Sequence, residues 1–254
     1  MNWIGLQTFI TQELLRIKRV WVQTLIAPWI SALLYILIFG QVVGRRIGMI
    51  VPGVSYIDFV VPGLLMLNVM QSAFGHTSSS LYFQRFVRHI EELLTAPLSY
   101  MEMIAGYVTS GITRGVIVAA GVYTIALFFT ITSVSHLFLF IFYAVSVALI
   151  FSLLGLLVGL WAESFEQLMI PQTFLIMPLT FLGGLFNSIH MLPEKFQWFV
   201  RINPFFYFVD GLRYSMVGVS ESNRNFGIFL ILALVIGLST WVWILFKRGY
   251  KIRA

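Results

Sequence analysis

Six runs of apolar residues recur along the chain, each close to the ~20 residues that a helix needs to cross a hydrocarbon core. They fall at residues 22–43, 59–82, 103–130, 137–161, 168–186 and 227–246. Inside a bilayer every backbone N–H and C=O must be paired internally, so runs of this length predict membrane-spanning helices. The rest of the sequence agrees. Soluble domains carry charge on roughly a quarter of their residues, whereas here 10% of residues are charged and 59% are hydrophobic. The expected fold is an all-α membrane protein with six transmembrane helices in a single domain, 1–254. No segment outside the spans exceeds about 40 residues, short of the ~50 a separate domain needs.

The connections add detail. Residues 2–20, within an interfacial segment 1–21, read as an amphipathic helix with Trp3, Leu6, Ile10, Leu14, Ile17 and Trp21 at three- and four-residue steps. A plain cytoplasmic extension of the first span is the other reading. Glu13 precedes the first basic cluster and Pro28 interrupts the run that follows, so the start does not read as a cleaved leader. The longest connection, 187–226, is aromatic but broken by Pro193 and by Asn203–Pro204, which predicts short re-entrant helices before the last span.

Basic residues set the orientation. With both termini in the cytoplasm, the inner side holds Arg16, Lys18, Arg19, Arg85, Arg88, Lys247, Arg248, Lys251 and Arg253. The outer side holds Arg45, Arg46, Lys195, Arg201, Arg213 and Arg224, with Asp58, Glu194, Asp210 and Glu221 to offset them. The net charge of +6 therefore fits lipid headgroups and topology better than a nucleic acid. With no cysteine there are neither disulfides nor thiolate metal sites. The four histidines are scattered, so no metal site is expected.

The densest charged stretch is Gln84–Tyr100, QRFVRHIEELLTAPLSY. A helix over 85–94 would place Arg85, Arg88, Glu91 and Glu92 on one arc and Phe86, Ile90, Leu93 and Leu94 on another. Arg88 and Glu92 have the spacing of a helical ion pair, and Pro97 ends the segment. On periodicity alone this is equally a solvated loop helix.

The fifth run places Pro171 and Pro178 two turns apart on nearly one face, with Gln167, Gln172, Thr173 and Thr180 as polar groups. It reads as a pliable helix lining a pathway, or as a kinked packing helix. Arg114 stands inside the third run, where a charge is costly. It either snorkels to the inner headgroups, if the helix begins late, or meets a substrate. His76, beside Ser78–Ser80, lacks a nucleophilic constellation and reads as a polar lining or packing residue. Gly40/Gly44, Gly111/Gly115 and Gly155/Gly159 have the spacing of close helix contacts, and are weak evidence for a dimer face. Met66, Met70, Met169 and Met177 suggest an adaptable apolar lining.

Glu91-x-Leu93-Leu94-x-x-Pro97, preceded by basic residues, resembles the cytoplasmic motif in the membrane subunits of type-two ABC exporters. A second set resembles the same family: Leu182-Gly183-Gly184-Leu185-Phe186, Leu192-Pro193, Asn203-Pro204 and Gly211-Leu212-Arg213-Tyr214. The resemblance covers nearly the whole chain and is greatest to small bacterial permeases of drug, polysaccharide or lipid exporters. It implies a homodimer in the cytoplasmic membrane that binds two copies of a separate ATPase, which would hold the ATP and magnesium. The chain itself would be no enzyme and bind no cofactor; it carries no Gly-x-x-x-x-Gly-Lys loop. Segment 84–100 would be the coupling helix region, with Arg85, Arg88, Glu91, Glu92, Leu94 and Pro97 at the ATPase contact. Gating would fall to Pro171, Gln172, Thr173, Pro178, Thr180, Gly183 and Gly184. A gradient-driven transporter or channel is the alternative, although the acids lie near span ends rather than inside, where ion coupling needs them. A lipid-modifying enzyme would need an acid, base or metal cluster that the sequence does not display.

Overall fold

The computed structural model describes residues 2–51, 53–130 and 134–252, the side chain of Gln41 excepted. Arg253, counted above with the inner charges, lies outside them. Helix α1 (Trp3–Arg19) is capped by the Asn2 side chain, which accepts from the Gly5 N–H at 3.1 Å. Arg16, Lys18 and Arg19 fill its last turn, where the helix dipole favours positive charge. The buried stripe is Leu6, Phe9, Glu13 and Ile17. That is rotated from the expected stripe: Phe9 and Glu13 face inward in place of Ile10 and Leu14, and Trp3 is exposed.

Helix α2 (Val22–Ile47) alternates ordinary α-turns with wider π-turns at Val22–Ile26 and Ile36–Val43. A short hairpin of β1 (Met49–Val51) and β2 (Val54–Ser55) leads into α3 (Tyr56–Phe86). Ser55 caps α3. Nearly every residue from Phe59 to Tyr82 is buried, so α3 is the post around which the others pack. A break at 87–89 separates it from the short α4 (Ile90–Thr95). Helix α5 (Tyr100–Ala126) opens with a reciprocal cap between Ser99 and Glu102, and α6 (Leu137–Trp161) follows.

Glycine lets α3 and α6 touch. A Cβ on Gly155 would sit 2.6 Å from the Phe74 carbonyl oxygen, and one on Gly159 would sit 2.9 Å from that of Ser78. Thr77 donates across the same seam to the Ser152 carbonyl at 2.9 Å. Gly111 likewise approaches Ser152 and Thr77, and Gly40 approaches Ile57. These spaced glycines thus serve contacts within the chain.

Residues 165–182 form one helical run, α7, made of Phe165–Pro171, a π-turn at Gln172–Ile176, and Met177–Leu182. Pro178 has no N–H to give and its ring displaces the carbonyl four residues back, that of Phe174, which lies in the wider turn. The run stops four residues short of the expected end because Gly184 adopts a left-handed φ of 80°. Among the described residues, five helices are long and apolar enough to cross a membrane: α2, α3, α5, α6 and the last, α10 (Arg224–Arg248). Helix α7 is not among them.

Between α7 and α10 lie a single 3-10 turn at Ile189–Met191, α8 (Glu194–Ile202) and α9 (Pro204–Val217). Asn203 joins the last two. Its Oδ1 accepts from the Phe205 N–H at 3.0 Å and its Nδ2 donates to the Leu179 carbonyl at 2.6 Å. Pro204 occupies the first turn, where its missing N–H costs nothing. On α8, Val200 is buried while Phe196, Trp198, Phe199 and Ile202 are exposed, an arrangement suited to a headgroup boundary.

Candidate functional site

Two regions gather the polar residues that the fold does not spend on itself. The first is the turn after α3. Segment 85–94 is not one helix: α3 ends at Phe86, and Arg88 adopts a left-handed φ of 59° before α4 begins. Arg85 therefore belongs to α3. Its NH1 donates to the carbonyls of Gly159 and Leu160 at 2.7 and 2.9 Å, and its Nε donates to Lys251 O at 2.7 Å. It satisfies the open carbonyls at the end of α6 and ties down the tail. Lys251 completes the tie through Glu163 at 2.6 Å.

That leaves Arg88, His89, Glu91 and Glu92 exposed. Glu92 faces His89 at 3.5 Å across an exposed pair, rather than Arg88. Ile90 is buried in the same core cluster against which Leu93, Leu94 and Leu98 pack, so α4 presents one charged and one anchored face. Pro97 lies on the exposed turn to α5, where its carbonyl accepts from Asn2 Nδ2 at 3.3 Å. Clefts of about 440 and about 320 Å³ flank the segment, one beside the tail and the other beside α1.

Helix α1 is bound to this region from the other side. Glu13 accepts from Ser80 Oγ at 2.6 Å and from Gln84 Nε2 at 2.8 Å, and Arg16 donates to Ser80 Oγ at 2.9 Å. His76 Nε2 lies 3.0 Å from Ser110 Oγ and 3.5 Å from Glu13. The Ser110 hydroxyl donates to the Tyr107 carbonyl at 2.7 Å, so Nε2 of His76 must carry the shared proton. His76 is thus a packing residue in a buried polar latch joining α1, α3 and α5. A carboxylate on an otherwise apolar stripe was the visible signal for that latch.

Burial pushes the Glu13 carboxyl up, but the hydrogen bonds from His76 and Ser80 and the charges of His76 and Arg16 together hold it below its usual 4.5. Its folded-state value lies below the unfolded one, so its contribution is fully present above about pH 4.5 and is lost as pH falls through the folded-state value. We expect the hydrogen-exchange protection of α1 to fall with acidification below that point in the wild type. In Glu13→Gln the protection should start lower and change little with pH.

The second region is a cavity of about 300 Å³ among α2, α3, α5 and α7. It is lined by Gln23, Ser31, Tyr35, Asn68, Gln71, Ser72, Arg114, Gln172 and Met177, with Ala27, Pro28 and Leu67 between them. Of the predicted gating residues, only Gln172 reaches it. Pro171 is half-buried, and Thr173 and Pro178 are exposed on α7. Thr180 is buried and bonded to the Ile176 carbonyl at 2.6 Å. Gly183 packs on the backbone of Phe205 and Phe206, and the Gly184 carbonyl accepts from Arg213 at 2.5 Å. Met177 lines the cavity, whereas Met66 and Met70 are sealed inside α3's packing and Met169 is exposed. No cluster of three metal-ligating side chains occurs among the described residues.

The chain is 38% identical over 257 residues to the inner membrane transport permease YadH of Escherichia coli K12, covering 100% of this chain and 99% of that protein. It is 27% identical over 219 residues to nodulation protein J of Rhizobium meliloti, covering 85% and 82% of the two chains. The family model described as ABC-2 type transporter matches residues 5–217, which takes in α1, the turn after α3, the cavity and α9. The chain therefore belongs to the ABC-2 type transporter family and is an inner-membrane, multi-pass permease.

Proposed function

We propose that the chain is the membrane subunit of an ATP-driven exporter for an amphipathic substrate, a drug, a lipid or a polysaccharide-like molecule. Two copies of the chain form the pathway, and two copies of a separate ATPase, holding ATP and magnesium, drive it. The observation that carries this reading is the turn after α3: a short charged helix, anchored by Ile90, joined through the three-residue turn 87–89 to the long buried helix α3. A push on α4 reaches the core through Ile90, Leu93 and Leu94, which pack in the cluster shared with α5 and α6, and the latch carries α1 along. Exposed charge on a rigid element suits docking to a soluble partner and sets which partner fits. In this reading both termini are cytoplasmic, and α7 is a sixth, proline-bent crossing that moves with the pathway. Helices α8 and α9 are the re-entrant pair on the outer side, within one permease domain of a bacterial cytoplasmic membrane.

The test is affinity purification of the tagged protein in mild detergent. A separate ATPase should co-purify near equal stoichiometry. Glu91→Lys with Glu92→Lys should leave insertion and folding intact while cutting ATPase recovery and coupled transport at least about tenfold, the scale of a lost charge-assisted contact. Full partner recovery with unchanged transport in that variant would refute the docking site. Wild-type transport that needs a proton or sodium gradient but no ATP would move the protein to the gradient-driven class.

A further inference from the structure

Arg114 lies 14 residues into α5, about 21 Å from its start and about 18 Å from its end. Because α5 begins at the Ser99 cap, earlier than the sequence suggests, Arg114 stands near the middle of the helix rather than in its first turns. Its Nε is buried without a hydrogen-bond partner, and no ion pair to Arg114 occurs among the described residues. Gln71 Nε2, in the same cavity, is also buried and unpartnered. No carboxylate lines this space. A buried charge without a counter-charge costs stability, and in a membrane such a residue faces a cavity with work to do.

We propose that this cavity receives the phosphate-bearing headgroup of an amphipathic substrate, with Arg114 supplying the charge. Gln71, Gln23 and Gln172 bring donors from three other helices. A fork plus separate amide donors matches an anion with more than two acceptor oxygens, which a phosphate has and a carboxylate has not. The volume of about 300 Å³ is at the small end for ligand pockets and holds a headgroup rather than a whole amphipath. The apolar remainder has somewhere to go: α2 and α7, which wall the cavity, carry exposed Ile30, Leu34, Phe174 and Leu175. This deepens the exporter reading by naming its substrate class and rests on that reading only for transport. Binding needs no ATPase, so the two fail separately.

The purified protein in nonionic detergent should bind dioleoyl phosphatidic acid about ten- to a hundredfold more tightly than dioleoylglycerol by native mass spectrometry, the worth of one charge-assisted contact. Arg114→Gln should erase that preference while its melting temperature stays level or rises, which a merely structural arginine would not permit. Gln71→Leu should lower the preference several-fold and keeps the test alive if Arg114→Gln fails to fold. Lys18→Gln with Arg19→Gln, at the exposed end of α1, should leave it unchanged. Displacement of the lipid by millimolar inorganic phosphate would assign recognition to the phosphate group alone, and resistance to it would assign recognition to the tethered headgroup. Equal binding of the two lipids by the wild type, or a preference that survives Arg114→Gln, overturns the proposal.

Discussion

Arg213→Leu should destabilise the protein by about 3–5 kcal/mol, the usual result of breaking one side of a buried ion pair. The side chain is fully buried in α9. Its Nε donates to the Phe59 carbonyl at 3.1 Å, its NH2 donates to the Gly184 carbonyl at 2.5 Å, and the guanidinium stacks 3.6 Å above the Phe59 ring. NH1 faces Asp210 at 3.6 Å, an ion pair without a hydrogen bond. One residue thus joins the start of α3, the end of α7 and α9. Asp210 in turn accepts from Ser220 and Ser222 hydroxyls at 2.8 and 2.6 Å and from the Glu221 and Ser222 N–H groups, holding the loop before α10. Leucine would leave the Gly184 carbonyl unmet, strip the Phe59 carbonyl of its second donor and leave that carboxylate without its cation. Arg213→Lys should recover less than half the loss, since an ammonium cannot reach both carbonyls in the fork's geometry. Thermal unfolding in detergent measures both. A melting temperature within a degree of wild type for the leucine variant would remove this residue from the framework.

Gly155→Leu should prevent stable folding, with a loss of about 3 kcal/mol or more from overpacking. The nearest atom in the way of the added Cβ is the Thr77 hydroxyl oxygen, and beside it stand two backbone atoms, the Phe74 carbonyl oxygen at 2.6 Å and the Ser78 nitrogen at 3.1 Å. The hydroxyl could rotate only by giving up its bond to Ser152, and the backbone atoms cannot swing aside at all, so α6 must move off α3. Gly237→Leu is the control. It lies in the same class of helix, but nothing stands within 4 Å of its added Cβ, so its elution and melting should match wild type. Size-exclusion recovery separates the outcomes. A monodisperse Gly155→Leu would mean that the α3–α6 seam has slack the packing does not show.

These two residues show what patterning reveals and what it omits. Gly155/Gly159 spacing advertises a close approach, but not whether the neighbour is another copy or another helix of the same chain; here it is α3. Arg213 reads in sequence as one of several outer charges with Asp210 nearby to offset it. Nothing in that spacing says that its other donors close on Phe59 and Gly184, 154 and 29 residues away. Arg85 lies in the charged stretch 84–100, and the family resemblance places it at the docking surface. The carbonyls it satisfies come from α6 and the tail, which no local window contains.

The cavity divides the same way. Gln172 was legible as a polar group beside a proline, and Arg114 as a charge in an apolar run. Gln23 and Gln71 give no signal in the sequence, because an isolated amide in a long helix has no periodicity. The sequence by itself determined that the chain is helical and built for a membrane, where most crossings begin and end, and where charge gathers beyond α3. Those properties follow from run length, caps and residue chemistry, which are local. Only the tertiary structure decided which helix is the central post, that Glu13 is a latch, that Arg85 and Arg213 are spent on carbonyls, and that Arg114 is left without a counter-charge. Whether a polar group is spent or free depends on partners brought from distant segments by packing, and pairing across such distances leaves no mark on the local pattern.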